Sequence, residues 1–86
     1  MGTELLKKYL ECFDDRFEVT QIVGAKNIMF DGTDIAYIFD DEPMNFIINA
    51  AINRLPFDEL TIYDIAKQIF IYASLKIEYR GEVKDD

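Results

Sequence analysis

The chain reads as an α+β domain: a three-stranded antiparallel meander over about residues 16–39, packed on helices as a two-layer sandwich in the order α-β-β-β-α-α. Three observations predict it. Turn signals at Gly24-Ala25 and Asp31-Gly32 cut residues 16–39 into three short runs in which apolar and polar side chains alternate. On either side of this region, apolar residues recur at helical spacing instead. A small sheet with one apolar face also needs a cover, which the flanking helices supply.

The first helix is expected over residues 3–14. Leu5, Leu6, Tyr9, Leu10 and Phe13 make one apolar stripe, Thr3 serves as N-cap, and Glu4 sits favourably against the helix dipole. Asp14 and Asp15 oppose the dipole at the other end and stop the pattern.

Within the meander, a hairpin centred on Asp31-Gly32 pairs Phe30 with Thr33 and Ile28 with Ile35. A hairpin centred on Gly24-Ala25 pairs Val23 with Lys26, Gln21 with Ile28 and Val19 with Phe30. Together the two place Phe17, Val19, Val23, Ile28, Phe30, Ile35, Tyr37 and Phe39 on one face. The other face then carries Glu18, Thr20, Ile22, Asn27, Met29, Asp34, Ala36 and Ile38. It is either a solvated face or a docking surface for a partner.

A second helix is expected from Asp41 as N-cap to about Arg54, with Glu42 and Pro43 in its first turn and Phe46, Ile47, Ala50 and Ala51 as its stripe. After a connector over 56–60, Thr61 and Asp64 resemble a capping box. It opens a last helix over about 62–80, with Ile62, Ile65, Ala66, Ile69, Phe70, Ala73 and Ile77 facing the core and Gly81 as the stop. Residues 82–86 read as a frayed tail on a single domain.

Composition narrows function by exclusion. Histidine is absent, so triads that rely on imidazole cannot be built. With a single cysteine, Cys12, there is no thiolate cluster for structural zinc and no internal disulfide. The four glycines are scattered and form no phosphate-cradling loop. These features predict a protein that is not an enzyme, has no cofactor and no metal, and works in the cytoplasm. The N-terminus shows no signal-peptide pattern, and no run of apolar residues is long enough to span a bilayer.

Thr61-Ile62-Tyr63-Asp64-Ile65-Ala66-Lys67-Gln68 resembles the opening helix of the helix-turn-helix in lactose-repressor-type transcription factors. The chain continues through Ile69-Phe70-Ile71-Tyr72 without the turn or the basic recognition helix of that family, so what is shared is a capped amphipathic helix start.

Charge supplies the functional lead. Seventeen acidic against nine basic residues give a net charge of −8, which disfavours direct contact with nucleic acid or anionic membrane. The expected partner is a protein with a basic surface. Candidate contacts are Asp14, Asp15, Glu18, Asp31, Asp34, Asp40, Asp41 and Glu42, with Tyr63, Tyr72 and Tyr79 as aromatic anchors. Most of these acids fall at element ends, where several can share one rim. Size, acidity and element order are similar to some phage-encoded inhibitors of type II CRISPR nucleases, and nuclease immunity proteins are also small and acidic. The similarity is architectural and carries no shared motif. It implies an inhibitor or regulator of a basic nucleic-acid-processing enzyme that acts by DNA mimicry. The alternative is an assembly module forming a homodimer through the outer sheet face or the last helix, where Ile71, Tyr72, Leu75 and Tyr79 offer a second apolar surface.

Overall fold

In a computed structural model, which describes residues 4–75, the chain is α+β with one antiparallel sheet. Helix α1 (Glu4–Glu11) leads into strands β1 (Phe17–Ile22), β2 (Ala25–Phe30) and β3 (Thr33–Phe39). A fourth strand, β4 (Phe46–Ile48), a 3-10 turn (Ala50–Arg54) and helix α2 (Glu59–Ser74) complete it. The sheet order is β1-β2-β3-β4, so each strand pairs with its sequence neighbour. The expectations for Ile77, Tyr79, Gly81 and the tail over 82–86 concern residues outside the described ones.

The Asp31-Gly32 hairpin forms as expected. Both turn residues have positive φ, at 52° and 85°, and Phe30 faces Thr33. The other hairpin turns one residue earlier than expected, on Val23-Gly24, with Ile22 opposite Ala25 and Val19 opposite Ile28. Gly24 has φ 79° and takes the second turn position, where a left-handed conformation is needed. Moving the turn by one residue moves each pairing by two, so Phe17 and Val19 stay on the side of Ile28 and Phe30. Val23 instead leaves the core face for the turn and is fully exposed.

A bulge changes the phase of β3. Met29 faces Asp34, yet Ile28 faces Ala36, so Ile35 is the extra residue. Beyond it, Ala36 and Ile38 share the face of Ile28, whereas Tyr37 and Phe39 lie on the outer face, reversing the expected assignment. Ile35, Ala36 and Ile38 are all fully buried.

The expected helix over 42–54 is absent. Met44 adopts a left-handed φ of 69°, which a helix cannot accommodate, and Pro43 already biases Glu42 away from helical backbone. Phe46-Ile47-Ile48 then pairs with the open edge of β3, anchored by the Phe39 N–H to Asn45 carbonyl bond (2.9 Å) and the Asn49 N–H to Ile35 carbonyl bond (2.6 Å). The Asn49 side chain accepts from the Ala51 N–H and starts the 3-10 turn. Helix α2 begins one turn earlier than expected because Asp58, not Thr61, is the N-cap and accepts from the Thr61 N–H at 2.9 Å. It stops at Ser74, where Leu75 turns to extended backbone (ψ 147°).

The core gathers Leu6 and Leu10 of α1, Phe17, Ile28, Phe30 and Ile38 of the sheet, Ile52 and Leu55, and Ile65, Ile69, Tyr72 and Ala73 of α2. Burying each branched or aromatic side chain contributes about 1.5–3 kcal/mol. Phe17, Phe30 and Phe57 pack edge-on and stacked, with centroids 4.8–6.4 Å apart, and tie the start of α2 to the first hairpin.

Candidate protein-binding surface

Strand register divides the predicted acidic residues between two ends of the sheet and its outer face. At the end holding the Val23-Gly24 turn, Asp40 is part of a structural network. Its carboxylate accepts from Lys26 Nζ at 2.8 Å and from Gln21 Nε2 at 2.8 Å, and its N–H donates to the Gly24 carbonyl. Lys26 lies on the core face opposite Gln21, with its side chain 2% exposed, so Asp40 neutralises a buried cation. Gln21 also donates to the carbonyls of Ile22 and Ala25. The neighbouring Asp41, expected as a helix cap, instead holds the loop by accepting twice from Asn45 Nδ2 at 2.9 and 3.1 Å. Glu42 is exposed.

The end holding the Asp31-Gly32 turn is built differently. Arg16 grips Asp14 through two parallel bonds of 3.0 Å, and the Arg16 N–H adds a third at 2.9 Å. Those bonds hold the Asp14 carboxyl below the usual carboxylate range and push the guanidinium of Arg16 up, with Asp31 and Asp15 adding to the field on Arg16. The guanidinium lies 4.8 Å from the Phe30 ring centroid, and the Asp31 N–H donates to the Arg16 carbonyl at 3.1 Å. Through the Phe57 contacts, Asp58 and Glu59 at the start of α2 belong to this end too. Hydrogen bonds from Thr61 hold Asp58 below its ordinary range. A recess of about 300 Å³ opens here between Arg16, Asp31, Thr33 and Arg54.

The outer face joins this end through one cross-strand row. Glu18 faces Met29, and Met29 faces Asp34, so two carboxylates flank a half-buried methionine. Asp34 accepts from the Tyr37 hydroxyl at 3.2 Å and Asn27 Nδ2 at 3.4 Å, both neutral donors, and the Tyr37 hydroxyl is pushed up by this bond. Farther along the face, Thr20, Asn27, Tyr37 and Ile47 form the next row, with Ile47 exposed.

The eight predicted acids therefore do not share one rim. Asp14 and Asp40 are ion-paired; among the described residues, Asp15, Glu18, Asp31, Asp34, Asp41 and Glu42 form no ion pair. Among the aromatic candidates, Tyr63 is exposed, but Tyr72 is fully buried in the core and cannot anchor a partner. Its burial also breaks up the apolar surface expected on the last helix: of the described members of that surface, Leu75 packs against the core as well and Ile71 is exposed. Cys12 is exposed. Sequence reasoning missed Tyr37 as a surface residue, because the bulge that sets Tyr37 outward leaves no signal in the alternation, whereas Met29 lies on the outer face as expected. Among the described residues, no group of His, Cys, Asp and Glu converges to hold a metal, and no helix is long and apolar enough to cross a membrane. The chain matches no protein-family model, and comparison with curated proteins and with solved structures finds no match.

Proposed function

We propose that this protein is a small acidic binding module that engages a basic protein surface through the Asp31 end of the sheet and the adjoining row of the outer face. One observation carries the reading: among the described residues, Asp15, Glu18, Asp31 and Asp34 have no cationic partner within ion-pair distance, although they lie around Arg16 and Met29 in one region. Unneutralised carboxylates concentrated this way attract a cationic patch over roughly a Debye length, about 8–10 Å at ordinary salt. Met29 and Tyr37 between them add apolar and hydroxyl contacts of the kind that anchor an interface. A basic nucleic-acid-processing enzyme is the partner class that fits, with the carboxylates standing where phosphates bind.

The test is capture of partners from cell extract at low salt, with elution by rising salt and by duplex DNA, repeated with an Asp15→Lys/Glu18→Lys/Asp34→Lys variant. We expect a basic protein that salt and DNA both displace and that the variant fails to hold. A partner that is indifferent to salt and DNA and binds the variant equally well contradicts the reading. Self-association across the outer face is the second reading, favoured by the exposure of Ile22 (43%) and Ile47 (56%). Sedimentation at high protein concentration separates the two.

A further inference from the structure

The recess at the Asp31 end is lined by both arginines of the described residues, Arg16 and Arg54. The fold brings them together from separate parts of the chain. Arg16 directly precedes β1, and its carbonyl accepts from the Asp31 N–H at 3.1 Å. Arg54 closes the 3-10 turn, after which Leu55 turns to extended backbone and Phe57 packs on Phe17 and Phe30. That packing sets the turn against the first hairpin and leaves the recess between them. Phe30, Ala51, Leu55 and Pro56 supply its apolar wall, and Asp31 and Thr33 are its other polar residues.

The two guanidinium groups differ in what they hold. Arg16 gives two N–H groups to Asp14 and lies over the Phe30 ring, which fixes it in place. Among the described residues, no carboxylate pairs with Arg54, and its guanidinium makes no hydrogen bond. A free guanidinium presents parallel N–H donors that match the two oxygens of a carboxylate, and it is weakly hydrated for a cation. Local charge limits the anion. Asp14 offsets Arg16, and Asp31 and Asp15 add negative field there, so Arg54 is the excess cation. A dianion gains little from such a balance, whereas a monoanion gains one bidentate pair. We propose that this recess binds a small organic carboxylate, its oxygens on Arg54 with the Thr33 hydroxyl as a further donor, and its apolar body against Phe30, Leu55 and Pro56. A volume of about 300 Å³ suits one ring or a short branched chain, at the small end of ligand sites. Such a site needs no partner protein, so it stands or falls apart from the basic-surface reading.

Titration of the isotope-labelled full chain with benzoate, at neutral pH and constant ionic strength, tests this through amide chemical shifts. We expect saturable shifts at Asp31, Thr33 and Leu55, and nuclear Overhauser contacts from the benzoate ring to Phe30 and Leu55. Neutral benzamide should produce neither. Arg54→Gln should weaken benzoate by about tenfold or more, whereas Lys67→Gln, which removes the same charge from α2, should leave it within about twofold. The Arg54 side chain is exposed, so its replacement should keep the amide spectrum of the core. If the variant disturbs the fold nonetheless, the wild-type ring contacts decide: their presence supports the site and their absence overturns it. Shifts that never saturate, or that scatter over the surface, also overturn it. So does equal binding by Arg54→Gln, or inorganic phosphate that shifts the same amides as strongly as benzoate, because charge alone then suffices.

Discussion

Both ends of the sheet carry acidic residues, and the fold uses them in different ways. At the Gly24 end, Asp40 is committed to a buried lysine and a glutamine, and its charge is part of the packing. At the Asp31 end, Arg16 pairs with Asp14, while among the described residues Asp15, Asp31, Glu18 and Asp34 form no ion pair and Asp34 accepts only from the neutral Tyr37 and Asn27 donors. The comparison teaches that a count of carboxylates overstates the surface available to a partner. What matters is which of them the fold has already neutralised.

The strongest way to break this comparison is to remove Asp40. An Asp40→Ala change takes the 2.8 Å carboxylate contact away from the buried Lys26 ammonium and the 2.8 Å acceptor away from Gln21, and we expect a loss of about 1–3 kcal/mol in urea unfolding, below the full value for a wholly buried pair because Asp40 is partly solvated. Lys26→Met should cost less than about 1.5 kcal/mol, because an apolar chain of similar volume replaces a buried charge and leaves a carboxylate that water can reach. Equal losses in the two variants would show that the pair is not the asymmetric device described.

A smaller effect separates the turns. Gly32 has φ 85° in open space, so Gly32→Ala should cost about 1 kcal/mol by backbone strain alone, with no change in the partner contacts of the outer face. A change of less than half that in the urea midpoint free energy would mean that the turn relaxes.

Acid sharpens the comparison further. Asp14 and Asp58 are both held below the ordinary carboxylate range by hydrogen bonds, and both belong to the Asp31 end. Their contributions are present above the unfolded carboxylate value, near about 4, and are lost as pH falls through their lower folded values. An Asp14→Asn/Asp58→Asn variant should therefore show a shallower decline of thermal stability below pH 4 than the wild type. Parallel declines would remove these two groups from the account.

How much of this was legible in the sequence follows from how narrow each signal is. The Asp31-Gly32 turn was readable because two successive positive φ angles admit few residue types. The Gly24 turn was misplaced by one residue, yet the face of β1 came out correctly because the error moved pairings by an even number. The bulge at Ile35 was invisible, since an inserted residue leaves the composition of a strand unchanged while reversing everything after it. Phe46-Ile47-Ile48 is a short apolar run that suits helix and strand equally, and only the open edge of β3 decides. In α2 the run Ile69-Phe70-Ile71-Tyr72-Ala73 is apolar all round, so the sequence could not say that Tyr72 is buried and Phe70 exposed. For the surface, the identities of the acids were legible. Their pairing was not, because Lys26 and Arg16 lie 14 and 2 residues from the carboxylates they neutralise.

The most direct test compares two variants of equal net charge against the partner retained at low salt. Asp15→Lys/Asp34→Lys alters the Asp31 end and Asp41→Lys/Glu42→Lys the Gly24 end. The account predicts that the first weakens binding by about tenfold or more and that the second leaves it within about twofold. Equal losses from both variants would reduce the interaction to net charge and contradict the claim that the Asp31 end is the binding surface.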